Sequence, residues 1–462
     1  MSHPLLTKPV KTALLSMAAP AAFGMLMTFL FQLVDSYFVG QLGTQPLAAM
    51  SFAYPVYILI VSLFMGIASG VSAAVGKALG ENNQLKAQSL TSLSVLLFSG
   101  ATLVLGLVGY STLPTTFALL GANSSTIGLV AQYMGPLYLG MFVLVGGLIA
   151  NSALMAKGIM VQTTLVMALG GVTNVIFDYL LIFGKGPFPE LGLMGAAIAT
   201  LISWLVILLL MLGLLYKNAL LSLRSMFDVS AQVKEVLTIS SPAIAAQILN
   251  PVAIAVITSL VAQYGDSAIA AYGIATRIES LLLTGILSLS VILTPFVAQN
   301  YGAQEKQRLD KVIAYSGRMT VYWGVMVFAI VAFSIDSIMA IFSTNSDIIE
   351  HGRWYFILVG VSFPAYGLVL ITSAFLNGVQ QAKMSLKLTL VKSLVLTIPL
   401  ALLGAQFGSE FIWIAICTAN IVGAMYAKRL LEQWLDAHRS SLLSCSPMLD
   451  YWRDVKTLFR LT

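Results

Sequence analysis

The sequence predicts an all-α integral membrane protein with twelve transmembrane helices, arranged as two six-helix bundles that repeat one another in parallel. Three observations predict it. Of 462 residues, 58% are hydrophobic and only 9% are charged, against about 25% charged in a soluble domain. The apolar residues fall in runs of roughly 20 or more, enough to cross the hydrocarbon as a helix. The first two apolar runs also match a later stretch without a gap.

The first span, about 13–40, follows Lys8 and Lys11. Its apolar core is too long for a cleaved signal sequence, so it reads as a permanent helix. The others follow at about 46–79, 88–113, 126–150, 159–184, 190–216, 234–263, 268–300, 310–334, 348–373, 384–405 and 408–433. Prolines and glycines inside them do not argue against helix, because membrane helices tolerate both. All but Lys185, Arg277 and Arg353 of the 24 lysines and arginines fall in the termini and even-numbered loops or beside them. By the positive-inside rule both termini are cytoplasmic. The net charge of +6 is then a topology signal, with no nucleic-acid partner implied. The domain reading is an N-terminal bundle over 1–216, a cytoplasmic linker over 217–234, a C-terminal bundle over 235–433 and a cytoplasmic tail over 434–462.

An offset of 222 places the first two spans on the seventh and eighth. Pro20 falls on Pro242, Gln41 and Gly43 on Gln263 and Gly265, Ala48, Ala49 and Ala53 on Ala270, Ala271 and Ala275, and Gly80 on Gly302. An offset of 220 places Gly158 on Gly378. Six spans per half, an even number, bring both halves into the bilayer from the same side. Parallel repeats of this kind are expected to hold a substrate between them and to rock against each other.

Ionisable residues inside spans are costly and mark function. Asp35, in LVDSYFVG, lies 15 residues beyond Pro20, roughly 22 Å along a helix. Asp178, in TNVIFDYLLIFG, lies 20 residues beyond Gly158, with Asn174 one turn before it on the same face. Both acids reach the outer half of the N-terminal bundle. Burial in apolar surroundings penalises the charged form of a carboxylate, which makes Asp35 and Asp178 candidates for proton exchange. The same oxygens suit sodium, and a hydrogen-bond network between spans is the structural reading. Arg277 and Glu279 are two residues apart on different faces and are expected to pair with other spans. Lys387 and Lys392 are expected to snorkel to the interface. Pro20 removes a helix hydrogen bond and crowds the carbonyl of Ser16, giving either a fixed kink or a bend point. The positions matching the acids are Ile257 and, by the offset of 220, Ile398. On this reading the acids belong to one half only, which carries the ion site while the other half moves against it. The two cysteines, Cys417 and Cys445, and the scattered His3, His351 and His438 offer no metal or disulfide framework, and no cofactor is implied.

These residues resemble the multidrug and toxic compound extrusion (MATE) family over roughly 10–433, through the repeated halves, LVDSYFVGQLG, TNVIFDYLLIFG and SPAIAAQILNPV. Within it the chain is similar to the DinF-like branch. The NorM-like branch carries a glutamate eight residues after the proline of the seventh span, where this chain has Asn250. No aspartate stands out in the tenth or eleventh span either, so the pattern implies no C-terminal cation site. The resemblance implies an acidic site at Asp35 and Asp178, with Tyr133, Asn174 and Thr200 in the hydrogen-bond network. It also implies export of amphipathic, often cationic compounds in exchange for protons or sodium.

The expected protein is therefore a proton-coupled multidrug antiporter, monomeric, in a bacterial plasma membrane. A sodium-coupled antiporter and a lipid or lipid-linked precursor flippase are the alternatives. The flippase asks for a more cationic interior than the sequence offers. A membrane enzyme is not expected, because no nucleophile, metal set or acid–base pair at reactive spacing accompanies the aspartates. A channel would call for a ring of like residues that a two-fold repeat does not supply.

Overall fold

The computed structural model describes residues 4–222 and 228–438. His3, Arg224, Cys445 and the tail beyond 438 lie outside the described residues, as does part of the linker. A one-turn helix α1 (Pro4–Thr7) leads into α2 (Val10–Gln41), α3 (Thr44–Gly80), α4 (Gln84–Leu119), α5 (Ser124–Ala156), α6 (Met160–Ile182) and α7 (Leu193–Lys217). The second half comprises α8 (Val229–Ala262), α9 (Asp266–Leu282), α10 (Thr284–Gly302), α11 (Lys306–Phe342), α12 (Ser346–Gly360) and α13 (Phe363–Gly378). It continues with α14 (Ala382–Leu390), a π-helical segment (Val391–Thr397), α15 (Ile398–Gly404) and α16 (Ser409–His438). Twelve spans result when α9 with α10 and α12 with α13 each count as one bent span. Several helices outrun their sequence boundaries: α4 and α11 reach 36 and 37 residues. Hydropathy registers the apolar stretch, while the backbone ladder continues into the polar flanks.

Both bends measure 57° and have identifiable side-chain causes. At the first, the Thr284 hydroxyl bonds back to the carbonyls of Ser280 and Leu281, and the Leu282 carbonyl instead receives the Trp323 indole N–H at 3.0 Å. Gly285 admits that indole, since a β-carbon there would lie 2.4 Å from it. At the second, Pro364 cannot donate to the preceding turn, and the Ser362 hydroxyl caps the Val359 carbonyl at 2.7 Å. Pro20, in contrast, sits inside one unbroken helix, α2.

The repeat is carried by backbone geometry more firmly than by residue identity. Six positions with positive φ fall into three pairs at matching loops. Gly43 and Gly265 precede α3 and α9, at φ 114° and 99°. Asn82 and Gln304, at φ 57° and 58°, and Gly158 and Gln380, at 85° and 62°, close equivalent helix ends. Every pair is separated by 222, as are both ends of α3 against α9–α10, of α5 against α12–α13 and of α6 against α14–α15. The offset of 220 at Gly158 is thereby corrected. Glycine there coincides with Gly378 in letter, but the turn it makes belongs to Gln380. The counterpart of Asp178 accordingly becomes Leu400 in place of Ile398.

The chain divides into two compact units, one of Phe23–Ser240 and one of Met1–Ala22 with Ser241–Thr462. The N-terminal unit has a core around Phe117, Met134, Leu137, Met141 and Ile182. Its cytoplasm-predicted end is fastened by side chains. Ser89 donates to Gln232 at 2.7 Å, Lys86 pairs with Glu235 at 3.0 Å, and Lys157 reaches the Asn218 carbonyl. Partial burial holds that ammonium below the usual lysine range. In the other unit the core gathers around Phe356, Phe363, Ile412 and Trp413. There Arg308 holds the Leu5 and Lys8 carbonyls at 2.8 and 2.9 Å and the Asn300 side chain at 2.8 Å.

Candidate functional site

Helices α2 and α6 meet along a seam with a period of seven. Gly24 faces Thr164, Phe31 lies on Gly171, and Phe38 meets Tyr179 and Phe183. A β-carbon on Gly171 would fall 1.9 Å from the Phe31 ring, so glycine is what lets that ring lie against α6. Asp35 is one turn beyond Phe31. Asn174 and Asp178 are three and seven residues beyond Gly171, on the same face of α6. The seam therefore delivers both acids to one place.

Asp178 is 0% exposed, and neither of its carboxylate oxygens has a hydrogen-bond partner among the described residues. Asp35 keeps some accessible surface, and its Oδ1 is buried without a partner. The charges of the two acids act on each other and on the Tyr133 hydroxyl. Tyr57 of α3 stands within reach of Asp35 as well. Nothing in the sequence singles out Tyr57. Asn174 reaches the Thr200 hydroxyl at 3.5 Å, and that hydroxyl donates to the Ala196 carbonyl at 3.0 Å. Five of the six residues singled out from the sequence, Asp35, Tyr133, Asn174, Asp178 and Thr200, thus lie on α2, α5, α6 and α7 of one unit. Pro20 lies in the other unit, on the near side of the division at Ala22. Buried carboxylates without donors are expensive as anions. The arrangement can therefore take up a proton, or hold a small cation through its oxygens. Among the described residues no group of three or more His, Cys, Asp or Glu is placed to hold a metal.

The C-terminal unit departs from the expectation that acids belong to one half. Glu279 on α9 accepts a hydrogen bond from the Tyr355 hydroxyl on α12. At the offset of 222, Tyr355 corresponds to Tyr133 and Glu279 to Tyr57. A tyrosine–carboxylate group thus stands at the equivalent place with its acid on a different helix. Glu279 does meet other spans, as expected, whereas Arg277 is exposed and makes no ion pair among the described residues. Lys392 does not snorkel. It sits in the π-helical segment with its ammonium 5.4 Å from the centre of the Tyr366 ring. Its stem runs past Gly423 of α16, where a β-carbon would come within 3.1 Å. The offset applied to Tyr57 and Tyr133 is the sequence signal that would have found this group.

A family model described as MatE matches residues 20–180 and 242–403. The chain belongs to the MATE family. A FAD transporter of Shewanella oneidensis is 34% identical over 424 residues, covering 91% of this chain and 94% of that one. The multidrug export protein MepA of Staphylococcus aureus is 25% identical over 447 residues, covering 94% and 97%. The crystal structure of the Vibrio cholerae MATE transporter VcmN in its bent form superposes with a TM-score of 0.88 at 23% identity, over 93% of this chain and 98% of that one. This MATE protein is therefore a multi-pass membrane transporter with the twelve-helix fold of its family.

Proposed function

We propose that this protein is an ion-coupled antiporter that exports amphipathic, often cationic compounds in exchange for protons by alternating access. The observation that carries the proposal is the Asp178 carboxylate, fully buried with both oxygens unpartnered, within electrostatic range of Asp35. A proton arriving at Asp35 and shared with Asp178 removes the cost of a bare buried anion. It also frees the Tyr133, Asn174 and Thr200 groups to change partners. Bending of α2 near Pro20 then narrows the N-terminal unit and expels the substrate. The distribution of lysine and arginine supports cytoplasmic termini, the bacterial relatives support a bacterial plasma membrane, and a monomer suffices for the mechanism.

The test is transport by the purified protein in liposomes under an imposed proton or sodium gradient, applied separately. Export of a cationic dye driven by the proton gradient, and abolished by Asp35→Asn in a variant that still inserts, is the expected result. Transport driven by sodium alone would move the coupling ion to sodium at the same carboxylates. Undiminished transport by Asp35→Asn would remove the site from the mechanism.

A second reading concerns the cargo. The relative named for FAD is 34% identical over nine-tenths of this chain, above the 25% of the multidrug relative. A flavin nucleotide, anionic and aromatic, is the cargo this favours, carried by the same ion-coupled scaffold. The same liposomes loaded with flavin nucleotide decide between the two cargoes.

A further inference from the structure

The C-terminal unit contains polar groups that ion coupling at Asp35 and Asp178 leaves unused. Glu279, Tyr366 and Lys392 lie deep in the unit, yet each keeps accessible surface. None of the three is wholly enclosed by its neighbours. Lys392 is the unusual member. Its ammonium faces the Tyr366 ring and feels the charge of Glu279. It donates no hydrogen bond and makes no ion pair among the described residues. An ammonium has three donors, and leaving them unfilled inside a membrane unit is costly.

The surroundings specify what would fill them. Tyr272 stacks on Trp413 at 5.4 Å, and Tyr355 stands edge-on to Trp413 at 5.0 Å. Behind Glu279 and Lys392 there is therefore a rigid aromatic wall, and Tyr366 adds a ring under the ammonium itself. The repeat sharpens the point. Lys392 occupies the position of Gly170, which in the other half packs against Ile207 with no room for a side chain. In this half Gly423 gives the lysine stem its passage. Lys392 thus adds a cation beside the one acid of this group, Glu279. The N-terminal site carries two acids and no cation.

We propose that Lys392 is the anchor of a subsite for an anionic aromatic solute, its phosphate or carboxylate accepting from the ammonium and its ring lying along the tyrosines. Glu279, held by Tyr355, is the internal anion that competes for Lys392 when the subsite is unfilled. The proposal rests on the flavin-nucleotide reading of the cargo and assigns that cargo's acidic group to a residue.

The experiment is equilibrium binding, without any gradient, to purified protein in nanodiscs of zwitterionic lipid. The probes are riboflavin 5′-phosphate and riboflavin, which share the ring and differ by the phosphate. The phosphate ester is expected to bind about tenfold more tightly, the scale of one charge-assisted contact. Lys392→Gln is expected to erase that preference, Lys392→Arg to keep it, and the exposed neighbour Lys387→Gln to leave it unchanged. Glu279→Gln, which removes the competing anion, is expected to tighten binding of the phosphate ester. Equal binding of the two flavins, survival of the preference in Lys392→Gln, or weaker binding in Glu279→Gln would each overturn the proposal. Repeating the measurement with phosphatidylglycerol in the disc separates solute from headgroup. Unchanged binding supports the solute, and a Lys392-dependent loss assigns the site to lipid and overturns it. Because no gradient is used, failure here leaves ion-coupled antiport standing, while loss of transport with binding intact would count against antiport alone.

Discussion

Single residues decide the chemistry of each unit. At Asp178 the sequence conveyed both the acid and its depth, because an aspartate within an apolar run is conspicuous. Asn174, one turn earlier, shared its face by helical spacing alone. At Lys392 the same logic led to the wrong environment. A lysine near the start of a span ordinarily snorkels, and only the π-helical turn and the gap at Gly423 direct it inward. Glu279 was legible as an acid inside a span, but its pairing with Tyr355 was not, since 76 residues separate them. Tyr355→Phe is expected to leave the Glu279 carboxylate without its donor and to cost about 1–3 kcal/mol of stability, the desolvation penalty of an unsatisfied buried group. A thermal-shift measurement in detergent checks this, and no shift would mean that another donor replaces Tyr355.

At the scale of elements, the spans could be read because hydropathy and helix length coincide. The bends at Leu283 and Ser362 could not, because part of what holds each lies on another helix: the indole of Trp323 that takes the Leu282 carbonyl, and Asn420, which donates to the Ser362 hydroxyl at 2.9 Å. The seam of α2 and α6 was equally hidden, although its glycine was in plain view. Gly171→Ala is expected to push the Phe31 ring off α6 and displace Asp35 from Asp178. It should reduce transport sharply and lower stability by about 1–3 kcal/mol, as overpacking does. The double variant Gly171→Ala with Phe31→Ala should recover part of the loss. Additive damage in the double variant would show that the ring and the glycine do not act on one another.

For the whole molecule, the duplication was legible as an offset in the sequence, and the backbone extends that offset to loops where no letter is shared, such as Asn82 with Gln304 and Gly158 with Gln380. The sequence placed the division between halves in the linker. By compactness, Met1–Ala22 belong with the C-terminal unit, and the chain through Ser240 belongs with the N-terminal one. Arg308→Ala removes the bonds to the Leu5 and Lys8 carbonyls. It is expected to expose the first residues to added protease while leaving the spans protected, and unchanged cleavage kinetics would show that Arg308 does not hold that segment.

The first helix of each half, α2 and α8, thus begins in one unit and ends in the other, changing over two residues after Pro20 and two before Pro242. This bears on the ancestry of the fold. A chain consisting of a single half would leave its own unit without the segment that the other half supplies, and would carry a leading segment with nothing to complete. Such an ancestor is self-sufficient only as a pair of copies that trade their leading segments. Gene fusion through the linker would then have made permanent an exchange that two separate polypeptides already performed.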